Sequence, residues 1–529
     1  MTLWITAAAP IAFLLIAMVV FQLPLSKVAP VSFLISVFTA TVFYRAGSEL
    51  LFFESLKGLW SALPIITVII PAVLLYEISD QAKAFLSFRK GLQRITGNEL
   101  LQIIIIGWAF SAFMQGITGF GVPVAVCAPL LLGLGVDPIY SVIIPLFGHA
   151  WANTFGTLGL AWTALAESAG LLSGSAGFNS SALWASVFLG IFNIIGGLAI
   201  CWIYGRKEGV RMGLPACFVI SSIHCIGQTV LSQINTTLAA FIPTSLCLIA
   251  VVLLGKTEFY SKSEKIELSP CMDRSEILTK SDSNADPMSL FESLFCYICL
   301  LMITIICLVI KPVNTILGSF KIGFSFPETS TGYGFVNPYV EKYSPISPLT
   351  HAGVLLCVSS LISFLYYRSR NRLKPEDGSI IIRKTFHKAR SSVLSVMMML
   401  MMSKVMTGSG QIEILAQGTA STLKSVYLFF VPFVGMLGSF ITSSNMASNI
   451  LFGRFQTATA VSLGHHIPAV LGGQTAGAAI GNIISPSNIV LGCSTVGIIG
   501  KEGRIIRYTL PVSILVTTLI GLILMFSGI

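Results

Sequence analysis

Apolar runs of about 20 residues, the length that crosses roughly 30 Å of hydrocarbon, recur along the chain. They fall at about 3–22, 28–44, 58–78, 182–203, 236–255, 291–310, 348–366, 389–406, 425–441 and 508–527. A weaker run at 212–235 carries His224, Gln228 and Gln233. Two further regions, 99–165 and 436–498, are apolar but laced with Gly, Pro, Ser and Asn. The first run has no basic start and exceeds the apolar core of a signal peptide, so it reads as an uncleaved span. The pattern predicts an all-α integral membrane protein, a polytopic helical bundle of about 12–14 spans, with two broken-helix or re-entrant regions.

Composition agrees. Hydrophobic residues make up 54% of the chain and charged residues 10%, with a mean hydropathy of +0.85. A soluble protein of this length needs about 25% charged residues to cover its surface. The net charge of +10 does not point to nucleic acid, because of where the cations sit. No Lys or Arg occurs between Arg94 and Arg206, while eight crowd into residues 367–390. Basic loops between apolar spans mark the cytoplasmic face. Lys83, Arg89, Lys90 and Arg94 form one such loop, and Arg206, Lys207 and Arg211 another. With 367–390 and 501–507 also inside, both termini are expected outside a cell membrane. The polar, Ser-rich stretch 256–290 is expected to be a cytoplasmic linker between membrane halves 1–255 and 291–529, and 312–347 a partly ordered external loop.

The two broken regions carry the candidate chemistry. In the first, Gly116, Gly119, Gly121 and Pro123 interrupt an apolar helix beside Gln115, Thr118, His149, Asn153, Thr154 and Thr157. Backbone freed inside a membrane must be buried in protein or line a polar cavity. In the second, Ser444 and Ser448, and Asn445 and Asn449, recur at helical spacing. Gly473, Gly477 and Gly481 form a small-residue stripe that admits a close neighbour, and Asn482, Ser485, Pro486 and Asn488 end that helix in a polar break. By the loop assignment the first region is entered on an outward-going span and the second on an inward-going one. That is an inverted repeat, and paired breaks in two halves point to a transporter's binding site.

The runs GITGFGVPVAV, GHAWANTFG, SSNMASNILFG, NIISPSNI and GIIGKEGRIIRYTL together resemble the lactate permease family, over essentially the whole chain. The resemblance implies a secondary transporter that imports lactate or a related 2-hydroxy monocarboxylate such as glycolate with protons. The chain departs from the family pattern at two positions. Gln115 stands where relatives carry an acidic residue, and Asn445 where they carry Asp. Neither amide can shuttle a proton.

The candidate substrate-binding residues are therefore Gln115, Thr118, Gly119, Gly121, Asn153, Thr154, Ser444, Asn445, Ser448, Asn449, Arg454, Asn482 and Ser485. His149 is the ionisable group among the breaks and the candidate for proton coupling. Arg454 could hold a carboxylate or snorkel to an interface. Lys404 is expected to snorkel, and Glu167 to be exposed. A sodium-coupled carrier of another small organic anion, or a channel, are the alternatives. The chain carries no phosphate-binding loop and no zinc-protease motif. No enzyme activity, metal or cofactor is expected, and the sequence leaves an oligomer open.

Overall fold

The computed structural model describes residues 2–21, 23–84, 96–119, 121–262, 264–273, 288–308, 310–498 and 501–527. Arg89, Lys90 and Arg94 of the first basic loop, and 274–287 of the linker, lie outside them. Among the described residues, eight helices are long and apolar enough to cross a membrane, and five shorter apolar helices accompany them. The all-α membrane architecture read from the apolar runs is the one observed.

Two packed groups make up the bundle, and each sequence half contributes to both. Leu25–Tyr44 and Ser48–Gln81 from the first half pack with Ala352–Ser369 and Asp377–Gly408 from the second. Around the other group run the two broken regions, the final helix Glu502–Phe526, and the long helix Ala176–Ile234. That last segment turns back at Gly205 and Arg206, where the dihedrals leave the helical region. Its limbs lie antiparallel: Cys201 Sγ is 3.5 Å from Cys217 Sγ, and Gln233 donates to the Asn179 carbonyl at 3.1 Å. These limbs are the expected spans 182–203 and 212–235, joined by their basic turn.

Each broken region is built as helix, break, helix, turn, helix, break, helix. The first runs through Glu99–Ile104, a π-helical turn Ile105–Phe110 and Ser111–Ile117, then breaks before Val122–Leu132. Pro138–Ala150 follows, and a second break precedes Gly156–Ala169. The second region runs Tyr427–Thr442, break, Asn445–Leu463, Ile467–Gly481, break, Pro486–Thr495. The two regions interlock reciprocally. Gly156–Ala169 packs along Asn445–Leu463, and Pro486–Thr495 along Val122–Leu132. The expected glycine stripe is where backbones meet: a Cβ on Gly477 would overlap the Pro432 carbonyl, and one on Gly481 that of Met436.

The loop after Phe295–Leu308 is more ordered than a loop reading implies. It contains an antiparallel pair, Ile322–Phe326 with Val340–Ile346, and a second pair, Thr329–Ser330 with Val336–Asn337. Asn337 Nδ2 ties it to the Gly408 carbonyl at 2.9 Å.

Candidate functional site

All four breaks open on one cavity of about 770 Å³. Gln115 and Gly121 come from the first break, and Asn153, Gly156 and Thr157 from the second. Ser443, Ser444 and Asn445 come from the third, and Asn482, Pro486, Ser487 and Asn488 from the fourth. Ser391, Ser392 and Ser395 of Asp377–Gly408 close one wall, with Leu23, Pro24 and Leu25 beside them.

The backbone at the breaks sits in conformations that a continuous helix never visits. Gly121 has φ +78°, which a Cβ would strain while also meeting the Leu491 side chain. Ser443 at φ +56°, Thr157 at +50° and Leu158 at +53° are left-handed without being glycine. A β-branched Thr there is a costly arrangement, and such residues cluster at functional sites. The consequence is directional. Val122–Leu132, Asn445–Leu463, Pro486–Thr495 and the right-handed part of Gly156–Ala169, which begins at Leu160, all start at the cavity, so four helix N-termini face it. Each brings a partial positive charge and first-turn N–H groups, some of them already capped: Ala447 N–H by Ser444 Oγ at 3.2 Å, Ser487 N–H by Ser443 Oγ at 3.3 Å and Trp162 N–H by the Thr154 carbonyl at 2.9 Å.

The side chains form a chain of amides and hydroxyls linking both halves. Gln115 Nε2 donates to Asn153 Oδ1 at 2.8 Å, leaving the buried Asn153 Nδ2 with no protein partner. Asn445 Nδ2 donates to Thr154 Oγ1 at 3.1 Å, and Thr154 shares a hydroxyl contact of 3.1 Å with Thr475. His149, on Pro138–Ala150, reaches across to Asn482 Oδ1 at 3.4 Å. Among the described residues, none lining the cavity is Asp, Glu, Lys or Arg. The site carries no acidic or basic side chain other than His149, joins these polar groups to apolar walls such as Met399, Phe440 and Leu491, and is supplied with donors.

Of the residues singled out from sequence, Gln115, Gly121, His149, Asn153, Ser444, Asn445 and Asn482 line this cavity. Thr154 and Asn449 stand just behind the wall, with Asn449 Nδ2 on the Ala161 carbonyl at 3.0 Å and Thr475 Oγ1 at 2.9 Å. Ser448 Oγ donates to the Gly435 carbonyl, Thr118 Oγ1 to that of Met114, and Ser485 Oγ to that of Asn482. Gly119 has φ +60° and packs on Thr157. Arg454 is not among the lining residues and pairs with Glu413 at 2.9 Å. Thr157 and Asn488, read from sequence as polar residues of the breaks though not as substrate ligands, line the cavity too. Sequence reasoning did not pick out Ser443 or the serines 391, 392 and 395. The serines lie in an ordinary-looking span and carried no signal.

Lys404 does not snorkel. Its Nζ donates to the Glu167 backbone carbonyl at 2.9 Å and lies 5.5 Å from the Tyr343 ring. Glu167 is not free either: Ser61 Oγ donates to Oε2 at 3.2 Å, and Ser344 Oγ donates to Oε1. The hairpin folds over these groups, which no local pattern announces.

Fold and cavity together define a multi-pass α-helical membrane protein with a buried polar chamber at paired helix breaks. The family model for L-lactate permease matches residues 4–528, and the chain belongs to that family. It is similar to the glycolate permease GlcA of Escherichia coli K12, 25% identical over 99% of this chain and 95% of that protein. The L-lactate permease of Salmonella typhimurium LT2 is 27% identical over 98% and 94%, and that of Bacillus subtilis 168 is 26% identical over 92% and 89%. Among solved structures, the Alcanivorax borkumensis YdaH transporter aligns over 89% of this chain and 87% of its own at 11% identity. Its TM-score of 0.44 makes that likeness too distant to bear on function.

Proposed function

We propose that the chain is a secondary transporter that imports lactate or a related small 2-hydroxy monocarboxylate, glycolate foremost, by proton symport across the cell membrane. The observation that carries this reading is the neutral chamber on which four helix N-termini converge. A carboxylate entering it meets N–H groups and positive dipole ends with no acidic side chain to repel it. The adjacent hydroxyl is matched by Asn153 Nδ2, a buried donor with nothing else to bind, and by the Ser and Asn groups around it. The volume lies within the range of small-molecule sites. The family membership and the names of its relatives, lactate and glycolate permeases, agree with this chemistry.

The chamber's lining from Leu23–Leu25 and Ser391–Ser395 adjoins Lys27 and the basic residues Arg383, Lys384, Lys388 and Arg390. By the positive-inside rule this is the cytoplasmic side, so the conformation is an inward-facing one.

Labelled L-lactate uptake into proteoliposomes, under separately imposed pH and sodium gradients, tests the reading. Saturable uptake driven by an inward proton gradient and competed by glycolate is expected. No uptake and no competition in intact vesicles would reject the substrate, and dependence on sodium alone would replace the proton as coupling ion.

A further inference from the structure

Both ring nitrogens of His149 face oxygen. Nδ1 is 2.6 Å from the Pro145 carbonyl, and Nε2 is 3.4 Å from Asn482 Oδ1. A carbonyl only accepts, so Nδ1 must donate. The amide of Asn482 is fixed in its turn. Its Nδ2 donates to the Ser443 carbonyl at 3.4 Å, and its Oδ1 accepts from Asn488 Nδ2 at 2.6 Å. Asn488 Nδ2 also donates to the Asn482 backbone carbonyl at 3.2 Å. Turning over either amide would set oxygen against a backbone oxygen. Nε2 therefore meets an acceptor as well.

A neutral imidazole has one N–H, so one of these contacts would be lone pair against lone pair. The imidazolium donates at both. Among the described residues that line the chamber, however, no Asp or Glu stands to balance its charge. The titratable groups on the helices packed against Pro138–Ala150 are Cys127, Cys493, the Tyr140–Tyr508 hydroxyl pair, His224 edge-on to Trp151, and Cys201, Tyr204, Cys217 and Cys225. The charged groups of these helices fall at their ends: Asp137 caps Pro138–Ala150, Arg206, Lys207, Glu208 and Arg211 lie at the turn of Ala176–Ile234, and Glu502, Arg504 and Arg507 in the first turns of Glu502–Phe526. Hydrogen bonding prepares His149 for a proton, and the missing negative charge is what a carboxylate substrate brings.

We infer that His149 is the proton-binding site of the cycle, with Asn482 and Asn488 as positioning residues that hold its partners in acceptor orientation. The inference rests on the proposed monocarboxylate reading. Proton and anion then bind cooperatively, each raising the affinity for the other by the same factor. The loaded chamber is neutral, and the stoichiometry is one proton per monocarboxylate. Because Pro145 and His149 belong to one sequence half, and Asn482 and Asn488 to the other, the proton also joins the halves.

Calorimetric titration of the purified protein with L-lactate, in buffers of different ionisation enthalpy, counts protons taken up per lactate bound. About one is expected, the single proton that the imidazole takes up with the anion. In His149→Gln the number should fall to zero on whatever lactate binding remains. In Asn482→Leu, which removes the acceptor facing Nε2, the profile of proton uptake should move to lower pH by about one unit, the worth of a hydrogen bond to a charged group. Lactate binding without proton uptake in the wild type, unchanged uptake in His149→Gln, or an unmoved profile in Asn482→Leu would each overturn the inference. Absence of lactate binding to the wild type would instead overturn the reading beneath it.

Discussion

The chamber and the charged cluster under the hairpin are both built from polar side chains inside an apolar bundle, and they solve that problem in opposite ways. Under the hairpin, Glu54 and Lys57 pair at 2.6 Å, and both are almost fully buried. Lys57 also lies over the Phe326 and Tyr343 rings, while Lys404 and Ser61 bind Glu167. Glu54 and Lys57 satisfy one another, Lys404 is held by a backbone carbonyl and the Tyr343 ring, and the Glu167 carboxylate by Ser61 and Ser344. In the chamber the groups are amides, hydroxyls and one imidazole, and a donor is left over. Charge that is already paired has nothing to offer a ligand. A neutral site with a spare donor and four helix N-termini is suited to an ion that brings its own charge. The lesson is that the chamber's lack of acidic residues is a property to be used.

The largest expected effect lies in the paired region. Lys57→Met leaves Glu54 ionisable and buried without its partner, a change that costs about 3–5 kcal/mol. Thermal unfolding in detergent should report a strongly lowered midpoint, and the double variant Glu54→Gln, Lys57→Met should regain most of the loss. A single variant as stable as the wild type would mean that the pair is not what holds this end of the bundle, and the contrast with the chamber would dissolve.

The chamber's side of this contrast was legible in advance in its spans and breaks, the charged cluster was not, and the gap has identifiable physical reasons. Spans are visible because hydrocarbon demands unbroken apolar length, and the breaks because Gly121, Pro123, Asn153 and Asn482 stand where a helix cannot continue cleanly. Left-handed Ser443 and Thr157 were not legible, since neither residue type advertises a positive φ. The contribution of Ser391, Ser392 and Ser395 depends on which face of Asp377–Gly408 meets the breaks, a tertiary fact. Lys404 and Glu167 misled for the same reason: 177 positions separate Glu167 from Ser344, the hairpin residue that binds it.

In the chamber the sharpest probe is Asn153→Leu. It removes the spare donor and also strips Gln115 Nε2 of its acceptor at 2.8 Å. Losing one hydrogen bond to a charged ligand is worth about 1.5–3 kcal/mol, so KM for lactate should rise by about tenfold or more in proteoliposome uptake. Melting should shift far less than in Lys57→Met. An unchanged KM would remove Asn153 from the binding site.

The smallest effect is expected at Arg454, the one cation among the residues proposed from sequence to meet the substrate. Its partner is Glu413, on the helix Gln411–Leu423, at 2.9 Å, with the side chains about a third and a quarter exposed. A carboxylate ligand would have to displace that glutamate, and Arg454 sits outside the chamber's lining. Partly exposed pairs of this kind contribute roughly 0–1 kcal/mol. Arg454→Ala should therefore lower stability by about 1 kcal/mol at most and change KM for lactate by less than about twofold. A large rise in KM with folding intact would show that a fixed positive charge reaches the substrate at some point of the cycle. The chamber would then no longer count as a neutral site, and the distinction between it and the charged cluster would have to be redrawn around Arg454.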